Sequence, residues 1–501
     1  KTKSPLGKLL MLKVTKEARR LSDDEWYCSK IVVKTPEGEE ILFPCYRWIS
    51  NGELVALRGG RGLIQIEILL AILSYFMFVL LVEYVADHWR EDDFYGYQFL
   101  NGVNPNIITK CTVLPTNFPV TEEMVKAFLG GSSLQEELQK GNIFLFDAKK
   151  VDGLPGREHE GKPLQVTPGL CLFYVNVEKK LMPIAIQLQQ EPSETNPIFL
   201  PSDSETDWLL AKFFIKNAYA LMHQSITHLL RTHFMVEAYI VAGLRCLPEI
   251  HPIYKLLMPH FRYTLHVNTG GRKSLFGSDG ALSEVPDLAD LHYSYFFLPE
   301  NVRARGLDSI PNNFYRDDGL KLWNIISSFV TAMVGYYYPT DCEVTRDTEL
   351  QEWINEIFVH CLLGKKETGF PEAFTTAEEL IKFLTMVIFT VSAQHSAVNN
   401  PQYDFCSMMP NYSLLLRKPP PTTKGQSSME TVLETLPNVS ESINFATVSI
   451  VLTGNYTDKV NLQEFQAQLS QLSKEIAERT AERNPPYIYM DPTQIENSIA
   501  M

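Results

Sequence analysis

The stretch that most constrains the fold is Asp207–Tyr239, DWLLAKFFIKNAYALMHQSITHLLRTHFMVEAY. It contains neither Gly nor Pro and is apolar on most sides, so one long buried helix is expected, running through a large domain. His223 and His228 stand inside it where a core helix ordinarily carries Leu or Ile. Five residues at about 100° each leave two imidazoles about 140° apart on a regular α-helix. One inserted residue, a π-bulge, swings both rings to one side, and such bulges recur at functional sites. No proline kinks the flanks, so a bound metal is the expected stabiliser of the bulge. The alternative is a pair of histidines satisfied by hydrogen bonds within the core.

A second pair adds weight to the metal. In IKFLTMVIFTVSAQHSAVNN, His395 and Asn399 are four apart, which places them about 40° apart on one helical face. This helix too is strongly apolar, so a His and an Asn within it need partners. Two such helices suggest one first-row metal ion between them. Imidazole suits iron, zinc, copper or nickel, and no Cys lies near either pair in sequence, which argues against a sulfur site.

Several longer runs resemble animal lipoxygenases, in that family's order: HQSITHLLRTH, LPEIHPIYKLLMPHFRYTLHVNT, YRDDG, SAQHSAVN, PPPTTKG and the terminal IENSIAM. The resemblance covers nearly everything from Val82 to Met501 and part of the N-terminal region. The closing PYIYMDPTQIENSIAM looks most like the epidermal and second 15-type branch. The resemblance implies a mainly α fold, with a large helical catalytic domain at residues 87–501. Before it come an apolar linker or membrane segment at 62–86 and a partial β-sandwich of PLAT type at 1–61. It also implies one non-haem iron held by His223, His228, His395, Asn399 and the main-chain carboxylate of the last residue, here Met501 where the family carries Ile. No catalytic residue beyond these ligands is implied. Arg272 corresponds to a residue assigned to the fatty-acid carboxylate, which a guanidinium can bind bidentately; a surface salt bridge is the alternative. Leu275 corresponds to the leucine roofing the channel over the reacting carbons.

The implied activity is insertion of O2 into polyunsaturated fatty acids such as arachidonate or linoleate, giving lipid hydroperoxides. Within the family the alternative is a hydroperoxide isomerase making epoxyalcohols. An inactive lipid-binding, truncated relative is the third reading. It is favoured by the missing opening strands of the sandwich, by the unusual apolar insert, by Met at the terminus, and by the absence after Glu284 of a Gly-rich segment and helix that the family has. The sandwich implies calcium-dependent docking on a membrane surface.

Charge and cysteine usage narrow the class further. A net charge of −14 disfavours a nucleic-acid partner, whose phosphates need a basic face. Eight Cys without CxxC spacing suit a reducing cytosol, so the expected location is cytoplasmic, and the sequons at Asn411, Asn438 and Asn455 are expected to be chance. At 501 residues the length allows two to four domains or one large helical one. Ile68–Val82 is free of charge but only fifteen residues long, short of the roughly 20 that span a bilayer. A buried helix, an anchor and sequence foreign to the family remain open there. Elsewhere, KIVVKTPEGEEILFPCYRWI reads as strands and turns, LCLFYVNVEKKLMPIAIQL as a hairpin, and Ser204 or Asp203 as the cap of the central helix. His251, His260 and His266 read as structural. The charges of YRDDG are expected to cap the next helix and pair with one another. Leu462, Phe465, Leu469, Leu472 and Ile476 mark an amphipathic helix docking on the core.

Overall fold

The computed structural model describes residues 11–15, 26–34, 40–49, 54–58, 81–153, 158–159, 162–163, 165–275, 291–406, 408, 410–436 and 463–499. Of the apolar stretch Leu63–Val85, residues 63–80 lie outside the described residues, whereas Leu81 and Val85 are buried. The chain divides into two compact units, Lys1–Leu80 and Leu81–Met501.

The first unit is built of strands where β-branched and aromatic residues cluster. Strand β1 (Met11–Thr15) pairs antiparallel with β4 (Leu54–Arg58). Strand β2 (Trp26–Lys34) pairs with β3 (Glu40–Ile49), and a bulge interrupts the register between Cys28 and Lys30.

The second unit sets one four-stranded antiparallel sheet against a helical body. Its strands are β5 (Ile108–Lys110), β6 (Ile143–Asp147), β7 (Leu170–Val175) and β8 (Leu181–Gln187), in the order β8-β7-β6-β5. The expected hairpin joins β7 to β8, with Lys179 in the left-handed region at its turn (φ 62°). Helix α1 (Asp92–Asn101) lies on this sheet, with the Phe99 ring centroid 4.8 Å from that of Phe173 and 5.4 Å from that of Phe146. The approach is close enough to require glycine: a Cβ at Gly96 would stand 1.7 Å from the carbonyl oxygen of Leu181.

The central helix begins as α2 (Glu205–Met222), passes through a π-helical stretch (His223–Phe234) and ends as α3 (Met235–Cys246). Ser204 Oγ accepts from Asp207 N at 3.2 Å, the expected cap, while Asp203 accepts from Leu200 N instead. Nearly all of α2 is buried, polar residues included. Lys212 and Trp208 both donate to the Asp92 carboxylate, at 2.7 and 2.9 Å, so these polar groups are paired rather than stranded in the core. Asp207 itself accepts from Gly425 N at 2.6 Å, which docks PPPTTKG on the helix start.

Further along come α4 (Thr264–Leu275), α5 (Phe314–Tyr337), α6 (Ala377–Phe389), a short π turn (Thr390–Gln394), α7 (His395–Asn399) and α8 (Gln463–Ala481). Helices α6 and α8 both pack against α5. The span Ala377–Cys406 is apolar and long enough to cross a membrane, yet 83% of its most apolar window is buried inside the fold, which makes it a core element. Leu472 and Ile476 bury the apolar face of α8. The YRDDG charges meet expectation in one pair, Arg316 with Asp317, and depart from it in the cap and at Asp318. Asn313 caps α5, Arg316 pairs with Asp317, and Asp318 is gripped by both terminal nitrogens of Arg479 on α8, at 2.6 and 2.8 Å.

Candidate metal centre

A π turn closes its hydrogen bonds to the fifth residue rather than the fourth, so side chains five apart stack on one side. The stretch HQSITHLLRTH uses that geometry twice. The rings of His223 and His228 are stacked at 5.6 Å and 7°, and those of His228 and His233 follow at 4.8 Å. All three are buried. What separates them is the partner of each nitrogen.

His223 is satisfied on both sides. Its Nε2 lies 2.8 Å from Val398 O, which can only accept, so the proton sits there; Nδ1 then accepts from the Tyr412 hydroxyl at 2.7 Å. No lone pair is left for a metal. The ligand expected at His223 is therefore corrected: this residue is the core histidine of the alternative reading, and His233 takes the third place. Burial lowers the His223 pKa to about 4, so the ring stays neutral.

His228, His233 and His395 converge. Their ligating atoms lie within 4.8 Å of one another, with Nε2 of His233 at 3.1 Å from Nε2 of His228 and 3.2 Å from Nε2 of His395. Side-chain amides set the tautomers of two of them. Gln224 donates its amide to Gln402 Oε1, so its oxygen faces His228 Nδ1 at 3.2 Å and accepts that proton. Asn268 donates to His233 O and to Glu237, so its oxygen accepts from His233 Nδ1 at 2.8 Å. Both Nε2 atoms therefore carry lone pairs, and both point at the same small space. Burial lowers the pKa of His233 to about 4; burial, followed by the neighbouring imidazoles, holds His228 and His395 well below the ordinary histidine value. Neutral lone pairs meeting at this distance repel unless a cation lies between them, and an orienting acceptor on Nδ1 is how metal-binding histidines are usually held.

Asn399 lies one turn after His395, as the spacing predicts, and is buried. Its Oδ1 accepts from Gln402 Nε2 at 2.8 Å. A continuous amide chain, His228–Gln224–Gln402–Asn399, thus links the π stretch to α7.

Comparison with known proteins agrees with this geometry. The lipoxygenase family profile matches residues 75–294 and 301–484, and the PLAT/LH2 domain profile matches residues 1–57. The chain belongs to the lipoxygenase family. It is 45% identical over 450 residues to the hydroperoxide isomerase ALOXE3 of Homo sapiens, covering 84% of this chain and 63% of that protein. It is 43% identical over 451 residues to the polyunsaturated fatty acid lipoxygenase ALOX8 of Mus musculus, covering 84% of this chain and 67% of that one. A lipoxygenase crystal structure in complex with arachidonate superposes with a TM-score of 0.79 at 30% identity, covering 99% of this chain and 92% of that one. The chain thus spans under two thirds of the length of the human relative.

The remaining expected site residues of this lipoxygenase-family chain fall as follows. Arg272 is ion-paired with Glu237 at 2.6 Å, the salt bridge of its two readings, and its guanidinium lies 5.2 Å from the Phe234 ring centroid. Because Glu237 also holds Asn268, the pair buttresses His233. Leu275 ends α4, and its side chain lies outside the described residues, as does Met501. The segment leading to Met501 is well anchored. Ser396 donates to Tyr489 O at 2.8 Å, His260 Nδ1 to Asn497 O at 2.8 Å and Thr264 to Ile499 O at 3.4 Å, and Ile499 is fully buried.

A second group of possible ligands, His251, Asp347 and Glu349, is structural. His251 Nδ1 accepts from Ile253 N, so its Nε2 donates to Asp347, whose carboxylate also takes Tyr338 Oη and Leu350 N. Burial pushes the Asp347 pKa up, but these hydrogen bonds outweigh it and bring it to about 2. Asn411 is buried and bonded to Gln98 and Phe405, which closes that sequon to a glycan. Cys111, Cys171, Cys246, Cys342, Cys361 and Cys406 are free thiols.

Proposed function

We propose that this chain is an iron-dependent lipoxygenase that inserts O2 into polyunsaturated fatty acids such as arachidonate and linoleate. The observation that carries this reading is the convergence of three neutral Nε2 atoms, from His228, His233 and His395, in a buried space. An all-nitrogen donor set without thiolate fits a first-row ion such as iron. Asn399 and the main-chain carboxylate of Met501 are the expected remaining ligands. Iron, when bound, supplies the one-electron chemistry for taking hydrogen from a doubly allylic carbon. The protein's own part is to keep the donors ready. Gln224 and Asn268 hold protons on Nδ1 of His228 and His233, and burial of all three rings keeps bulk water out. The arachidonate complex of a matching structure supports the substrate class. The PLAT/LH2 match over residues 1–57 supports docking of the first unit on a membrane surface.

A second reading, hydroperoxide isomerase, is favoured by the 45% identity to a relative of that name. One pair of assays separates them. Iron-loaded protein given arachidonate develops conjugated-diene absorbance if it is a dioxygenase. Loss of an added fatty-acid hydroperoxide without that absorbance identifies the isomerase. Neither signal, in protein that retains no iron by elemental analysis, overturns both.

A further inference from the structure

A cleft of about 410 Å³ opens on the second unit, between α1, the β7–β8 turn, the loop before α5 and the residues following α8. None of its lining residues is among the histidines of the metal centre or their hydrogen-bond partners. Tyr84, Phe94, Tyr97, Leu100 and Phe314 give it an apolar, largely aromatic wall. Its rim is cationic: Lys179, Lys180 and Arg483 face Asp93 and Glu482. Lys180 is neutralised by Asp93 at 2.8 Å. Lys179 and Arg483 form no ion pair among the described residues, and the Arg483 guanidinium lies over the Phe314 ring, 4.9 Å from its centroid, as does that of Arg479. In a chain of net charge −14 the lining of this cleft carries three cations against two carboxylates.

The rim is also held in an uncommon conformation. Among the described residues three that are not glycine have positive φ, and two of them, Lys179 (62°) and Asn312 (56°), meet here. Asn312 donates to the main-chain O of Lys179 at 2.9 Å and accepts from Arg483 at 3.5 Å, so one amide ties the hairpin turn to the Arg483 side chain. Such backbone is disfavoured for a residue like Lys and persists where its surroundings fix it. The volume falls in the range of small-molecule sites, about 300–1,000 Å³, and apolar and polar groups share the lining about equally, as an amphipathic ligand would need.

We propose that this cleft is a second ligand site, for a soluble amphipathic organic anion of fatty-acid size. Its apolar body lies along Tyr97, Leu100 and Phe314, and its carboxylate sits between Lys179 and Arg483. The inference does not depend on the activity proposed above. The test uses the full iron-loaded chain and palmitate bearing a diazirine, whose chain offers no double bond to oxidise. After irradiation, labelled peptides are mapped by mass spectrometry. Label is expected on peptides from 84–101 and 482–485. The double variant Lys179→Glu/Arg483→Glu lowers it about tenfold, the scale of one charge-assisted contact, with iron content and melting temperature unchanged. Arg483→Gln, a milder change at an exposed side chain, lowers it in the same direction. Equal labelling of these peptides in both variants, or label confined to peptides of the metal helices, overturns the proposal. So does labelling that appears only after phosphatidylserine vesicles are added, which assigns the cleft to a membrane surface instead.

Discussion

His223 and His233 stand five residues either side of His228 on one element, and they differ only in what meets their second nitrogen. At His223 both nitrogens are used by Val398 and Tyr412; at His233 an amide oxygen holds Nδ1 and leaves Nε2 bare. Alanine at His228, His233 or His395 is therefore expected to abolish iron retention by elemental analysis. His223→Ala is expected to keep the metal but to lose about 3 kcal/mol of stability in denaturant unfolding, from a new cavity and two stranded polar groups. A His223→Ala protein without iron would return that residue to the ligand set. Gln402 joins the two metal helices through Gln224 and Asn399. Gln402→Ala is expected to weaken iron binding about 10–100-fold in chelator competition, the usual effect of losing a group that orients ligands. His223 and His228 were legible in sequence as candidates, and His233 was missed although it repeats the same five-residue step. Which two coordinate was not legible, since the choice is made by Tyr412 and Val398, far off in the chain. Gln224 and Gln402 gave no signal at all, because an amide looks the same whether it faces solvent or an imidazole.

Among the elements, the long central helix, its Ser204 cap, the β7–β8 hairpin and the amphipathic α8 were all readable from periodicity and turn chemistry. Asp318 was not: its partner Arg479 lies 161 residues away, so local reading assigned it to the charges beside it. The contact of α1 with β8 rests on Gly96. Gly96→Ala forces a Cβ into the Leu181 carbonyl, and the expected outcome is a fall in melting temperature of several degrees, far outside the small gain in helix propensity of under about 1 kcal/mol. The helix Gln402–Cys406 holds the C-terminal segment through Asp404, whose carboxylate accepts from Tyr489 Oη at 2.6 Å. Burial raises the Asp404 pKa to about 7. Below pH about 4 this group is protonated in folded and unfolded chains alike. Between about 4 and 7 only the folded chain keeps the proton, so its stabilising effect is lost as pH rises through that window. Asp404→Asn is expected to remove this component, gaining roughly 2–4 kcal/mol over wild type at pH 8 relative to pH 4 in paired denaturation curves. Parallel curves would show that Asp404 ionises normally.

For the molecule as a whole, a metal that binds only the folded chain adds stability by mass action. Iron at a hundred times its dissociation constant is expected to add about 2.7 kcal/mol, seen as a raised melting temperature that His233→Ala erases. Whatever the ion contributes, the π stretch keeps its consequence to itself. Two imidazoles four apart on a plain α-helix would already share a face; this chain spends one more residue than that between each pair. Removing Leu229 would restore an ordinary helix and leave His228 and the former His233 side by side. Because four α-type steps and five π-type steps both come to about one turn, α3 would keep its phase, and Val236, Tyr239 and Ile240 would stay on the face they now bury. The extra residues are taken up in wider turns, so the rod can gain or lose one there and change only the spacing of its imidazoles, while the wall of the interior beyond it stays where it is.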